Sequence, residues 1–86
     1  MASNLEIESV MLSLIAKRGA HSSACPSEVA RALAPDGWRE LMPQVRDVAW
    51  RLRTRGLLDI TQRGVPVLDL DAVRGPIRIR HPAAPA

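Results

Sequence analysis

No phenylalanine and no tyrosine occur among the 86 residues, and the only aromatic rings are those of Trp38 and Trp50. Single-stranded nucleic-acid binders stack successive bases on aromatic side chains, so two tryptophans make a poor platform for that role. The lone cysteine, Cys25, can close no internal disulfide, and one Cys with the widely separated His21 and His81 assembles no zinc site. Long apolar runs are missing as well. Glu6 and Glu8 precede the Val10–Ala16 stretch and Lys17-Arg18 follow it, far short of the roughly 18 apolar residues of a membrane span. The same flanks do not fit a secretory signal, so a cytoplasmic location is expected. The length suits one small domain, expected over residues 1–80. A chain this short buries a modest fraction of its surface, which makes a homodimer that hides more apolar area an expected option.

Lysine is nearly absent: eleven of the twelve basic residues are arginine. Residues 1–36 carry three basic against four acidic side chains, a net of −1, whereas residues 37–86 carry nine arginines against five acids, a net of +4. Arginine's planar fork of donors suits bidentate contacts to carboxylates, phosphates and base edges. With single strands disfavoured, the basic half points to double-stranded DNA or to a protein partner.

The order of elements is legible from periodicity and caps. Ser3-Asn4-Leu5-Glu6 has capping-box spacing, and Ile7, Val10, Met11, Leu14 and Ile15 share one face, which predicts a helix over 4–18 closed by Gly19. Leu5 and Leu12 fall off that face. Pro26 suits the first position of a second helix, 26–33, with Cys25 as its cap and Pro35-Asp36-Gly37 as its stop; residues 20–25 form a loop with room for a two-residue strand. Pro43 would break an interior helical bond, so the spacing predicts a short turn over 37–42 and a third helix over 43–55, capped by Gly56. Its buried stripe is Val45, Val48, Ala49 and Leu52. Its outward face carries Asp47, Trp50 and Thr54, flanked by Gln44 and Arg51 on one side and Arg46 and Arg53 on the other. Trp38 and Met42 are expected at the edge of the core.

After Gly56 the period switches to 2, predicting strands over 57–62 and 76–80 that pair as a hairpin around a long loop. A competing register turns tightly at Arg63-Gly64 and pairs Val65–Leu68 instead. His81–Ala86 reads as a disordered tail.

Three helices followed by a hairpin, with an arginine-rich third helix and a basic loop, follow the α+β plan of a winged helix-turn-helix. The segments Cys25-Pro26-Ser27-Glu28-Val29-Ala30-Arg31, Trp38-Arg39, Leu41-Met42-Pro43, Val45-Arg46, Ile60-Thr61-Gln62-Arg63-Gly64 and Arg74-Gly75-Pro76-Ile77-Arg78 resemble a small bacterial domain family of unknown function with a winged-helix fold. The resemblance implies a fold, not an activity.

Winged helices typically place the third helix in the major groove and touch the backbone with the wing. On that plan Gln44, Arg46, Arg51 and Arg53 divide between base edges and phosphates, while Arg63, Arg74 and Arg78 supply the wing's grip. Asp47 either repels phosphate or pairs with Arg51 one turn on. An exposed Trp50, together with Leu5 and Leu12, would instead serve a protein-interaction or dimerisation module. No constellation of nucleophile, base and carboxylate meets the requirements of an enzyme, and no cofactor is implied. Cys25 reads as a structural thiol and His21 as a solvated side chain.

Overall fold

The computed structural model describes residues 2–82 of the chain. Helix α1 spans Asn4–Arg18, α2 spans Pro26–Leu33 and α3 spans Trp38–Thr54; strands β1 (Ser23–Ala24), β2 (Asp59–Gln62), β3 (Val65–Pro66) and β4 (Arg78–Arg80) form one antiparallel sheet in the order β1-β4-β2-β3. The three helices and the small sheet make an α+β domain compatible with a winged-helix arrangement. Among the described residues no helix is long and apolar enough to cross a membrane.

The caps act where the sequence places them. Ser3 Oγ accepts from the Glu6 amide at 3.1 Å and Glu6 Oε1 accepts from the Ser3 amide at 3.2 Å, so two of the amides that α1 leaves unpaired at its start are satisfied. At the start of α2 the Glu28 carboxylate accepts from the Cys25 amide at 2.8 Å, and an ion pair joins the same carboxylate to Arg18 on α1. Gly56, with φ of 77°, sits just beyond α3, where its amide bonds the Arg53 carbonyl and the next amide, Leu57, bonds the Leu52 carbonyl. That crossed pair is a Schellman closure, and its left-handed residue favours glycine.

Pro43 lies inside α3 and does not start it. The expected break between 42 and 43 is therefore absent, for a packing reason. Leu41 and Val45 are one turn apart on the face that also buries Val48, Ala49 and Leu52, and burying both requires an unbroken helix. The bond that Pro43 cannot make would end on the Arg39 carbonyl; both residues are exposed, so hydration can replace it. An interior proline costs a helix about 3 kcal/mol relative to alanine. Pro43→Ala is accordingly expected to stabilise the domain by about 1 to 3 kcal/mol, read as a higher urea midpoint at unchanged m-value.

Both strand registers occur together, because a strand has two edges. β2 pairs with β4 through Asp59↔Arg80, Ile60↔Ile79 and Thr61↔Arg78, and with β3 through Gln62↔Val65 and Thr61↔Pro66. The tight turn at Arg63-Gly64 has positive φ at both residues, 54° and 81°, as the twist of a two-residue hairpin demands. What the sequence shows as one long loop contains β3 and a 3-10 turn, Leu70–Ala72, capped by Asp69 through the Asp71 amide. β4 also pairs with β1, which ties the 20–25 segment to the sheet.

The core lies between the helices and one face of the sheet. Ile7, Met11 and Ile15 of α1 meet Val29 and Ala30 of α2, the α3 stripe, and Leu58, Ile60, Ile77 and Ile79. Val10, Leu12, Leu14, Trp38, Met42 and Trp50 pack against it half-buried. Leu12 and Trp50 are thus not the exposed apolar groups expected of a contact surface; of that trio only Leu5 stands out, 77% exposed. His81 and Pro82 follow β4 without regular structure, and the rest of the expected tail lies outside the described residues.

Candidate nucleic-acid interface

Arg39, Arg46 and Arg53 recur every seven residues along α3, and seven residues at 100° each return almost to the starting direction. They form a row about 21 Å long on the side of the helix away from its buried stripe. The unbroken helix creates this row, since a break at Pro43 would have separated Arg39 from the other two. The signal was present in the 39, 46, 53 spacing, and it becomes meaningful only once Trp38–Met42 belongs to the same helix as Val45.

Each of the three guanidinium groups is held by a neighbour. The Arg53 guanidinium lies 4.7 Å from the centre of the Trp50 ring, and that of Arg39 lies 4.7 Å from Trp38. Arg46 donates to the Gly75 carbonyl at 3.3 Å. Stacking uses the face of a guanidinium and leaves its in-plane N–H groups available, and one hydrogen bond occupies one donor of five. All three can still meet an anion.

The segment from β2 to β4, which occupies the place of the expected wing, is fastened to this helix. Gln62, at the end of β2, donates to the carbonyls of Arg74 at 2.6 Å and Pro76 at 3.2 Å, and Arg46 reaches Gly75 between them. The two Gln62 bonds close the ends of the loop on each other, and the Arg46 bond holds the closed end to α3 at Gly75. Arg63 and Arg74 are exposed. Neither uses its side chain in a hydrogen bond or ion pair within the described residues. An open groove between α3 and the 3-10 turn is lined by Arg39, Met42, Pro43 and Arg46 together with Asp47, Leu70 and Asp71.

The remaining sequence-selected side chains have internal partners. Arg51 pairs with Asp47 at 3.2 Å, acid before base at i,i+4, so the carboxylate on the outward face is locally compensated and Arg51 is the group that compensates it. The pair is more than half exposed on both sides and adds little to stability. Gln44 donates to the Ala2 carbonyl at 3.1 Å and to Asn4 Oδ1 at 2.8 Å, tying α3 to the start of α1. Arg78 bonds Ser23 Oγ at 3.0 Å and the Ser23 carbonyl at 3.1 Å, joining β4 to β1. These two act as tethers in the fold. Cys25 is half-buried and accepts from Ser27 Oγ at 2.9 Å; His21 is exposed. Among the described residues no group of three His, Cys, Asp or Glu side chains is gathered in a way that could hold a metal.

A family model described as "Protein of unknown function (DUF3253)" matches residues 4–82. The chain belongs to that family. The match begins at the first residue of α1 and ends two residues after β4, so the DUF3253 segment contains every helix and strand described above, together with the arginine row. No curated protein matches the chain.

Proposed function

We propose that this DUF3253 domain is a winged-helix protein that binds duplex DNA, as a transcriptional regulator would, with Arg39, Arg46 and Arg53 of α3 and Arg63 and Arg74 of the wing on the nucleic acid. The observation that carries it is the tether from Arg46 to Gly75 and from Gln62 to Arg74 and Pro76, which ties the backbone next to Arg63 and Arg74 to the helix that carries the arginine row. The net charge of +4 over residues 37–86 supplies the long-range attraction. Stacking on Trp38 and Trp50 lowers the entropy that two of the five side chains would lose on binding.

Counterion release provides the test. If each of the five arginines neutralises one phosphate, the logarithm of affinity falls with the logarithm of salt at a slope of about −4.5. Fluorescence anisotropy with a labelled duplex should then show affinity falling by a few hundredfold between about 50 and 200 mM salt. Absence of binding, or binding indifferent to salt, would refute the proposal. A protein-interaction or self-associating module is favoured by one separate feature: Val65 in the edge strand β3 and Leu68 just after it are 64% and 78% exposed. Salt-insensitive self-association in sedimentation would select that second reading.

A further inference from the structure

Trp38 carries a second arginine. Arg31, in the last turn of α2, lies with its guanidinium 4.3 Å from the ring centre that Arg39 approaches to 4.7 Å from the first turn of α3. Two like charges therefore stand over one indole, at most about 9 Å apart by the sum of those distances. Cation–π contact with a half-buried tryptophan holds each plane in place and offsets part of their repulsion. Neither guanidinium has an ion pair or hydrogen bond within the described residues, although Asp36 and Glu40 flank Trp38 in sequence. The acids nearest in the chain are thus left aside while ten N–H donors, five on each group, remain unfilled.

We infer that Arg31, Trp38 and Arg39 form a clamp for the phosphodiester backbone of the same duplex, an inference that rests on the duplex-binding proposal and extends its surface from α3 to α2. Stacking on the ring occupies the faces of the two forks and leaves their in-plane donors for charge-assisted N–H···O contacts of about 2.8 Å to neighbouring phosphate oxygens of one strand. Because Asp36 and Glu40 cancel the two positive charges locally, recognition depends on oriented donors along a strand that the other arginines already hold. Free inorganic phosphate lacks that support and should bind poorly.

The test uses Arg31, which lies outside the α3 row, and Trp38 as its own reporter. In a Trp50→Phe background, checked for unchanged circular dichroism, duplex at low salt should shift Trp38 emission with the same midpoint as the anisotropy titration, whereas inorganic phosphate at millimolar concentration should leave it unmoved. Arg31→Ala should weaken duplex binding about fivefold and reduce the salt slope by about 1, and Arg31→Lys should restore the slope but not the full affinity. Salt-sensitive duplex binding by the wild type, with Arg31→Ala unchanged in affinity and slope, overturns the clamp and leaves the duplex-binding proposal standing. An emission change that saturates equally well with inorganic phosphate also overturns it, in favour of a free-anion site. A wild type with no salt-sensitive duplex binding overturns both.

Discussion

Replacing Arg39, Arg46 and Arg53 together by alanine is expected to weaken duplex binding at least about a hundredfold and to flatten the salt slope by about 2.7, the sum of three phosphate contacts at about 0.9 each. The change in slope is the diagnostic part. A variant that merely unfolds a fraction of the protein lowers the apparent affinity at every salt concentration without altering the slope. The fold should survive, since none of the three is in the buried set and α3 keeps its apolar stripe. Arg46 would surrender its bond to the Gly75 carbonyl, and Arg39 and Arg53 their stacks on Trp38 and Trp50, for a combined loss of about 1 to 3 kcal/mol in stability. Calorimetry measures that loss separately. A triple variant that retains the wild-type slope would remove the row from the interface.

Leu52→Ala should produce the largest loss of stability. Leu52 is fully buried at the centre of the core, and its carbonyl also closes the end of α3 by accepting from the Leu57 amide. Truncating a buried leucine to alanine removes apolar transfer energy and leaves a cavity, together about 2 to 5 kcal/mol. A domain of this length has a total stability of only about 4 to 13 kcal/mol. A loss of about 3 kcal/mol should lower the melting temperature by roughly 12 to 24 °C. Leu5→Ala is the paired control: at 77% exposure that side chain should shift the melting temperature little.

Local signals read well in this chain. The bounds of α1 and α2 follow from Ser3, Glu6, Pro26 and the Pro35-Asp36-Gly37 stop, because caps and fixed proline dihedrals act within a few residues. The extent of α3 did not, since the penalty for Pro43 is local while the gain from burying Leu41 with Val45 depends on what packs against them. In the same way Arg46, Arg53, Arg63 and Arg74 are visible as cations on a helix face and at turns, although Arg46 and Arg53 prove half-buried, whereas Arg39 belongs with them only on a continuous helix. The roles of Gln44 and Arg78 are invisible to periodicity. Their partners, Ala2 and Asn4 for one and Ser23 for the other, are 40 or more residues away, and only the assembled fold brings them within reach.

β4 is the last element of the fold and yet a middle strand of the sheet, with β1 on one side and β2 on the other. Order of synthesis therefore matters. Without β4, β1 has no strand partner among the described residues and β2 has only the short β3. The edges of Ser23–Ala24 and Asp59–Gln62 that β4 will occupy stay open, and the apolar slot for Ile77 and Ile79 stays unfilled. Until Ile79 emerges the nascent chain presents a strand edge beside apolar surface, the combination that chaperones recognise and that pairs with other chains. The sheet is thus whole only when three residues, Arg78–Arg80, lie between two edges formed from earlier parts of the sequence.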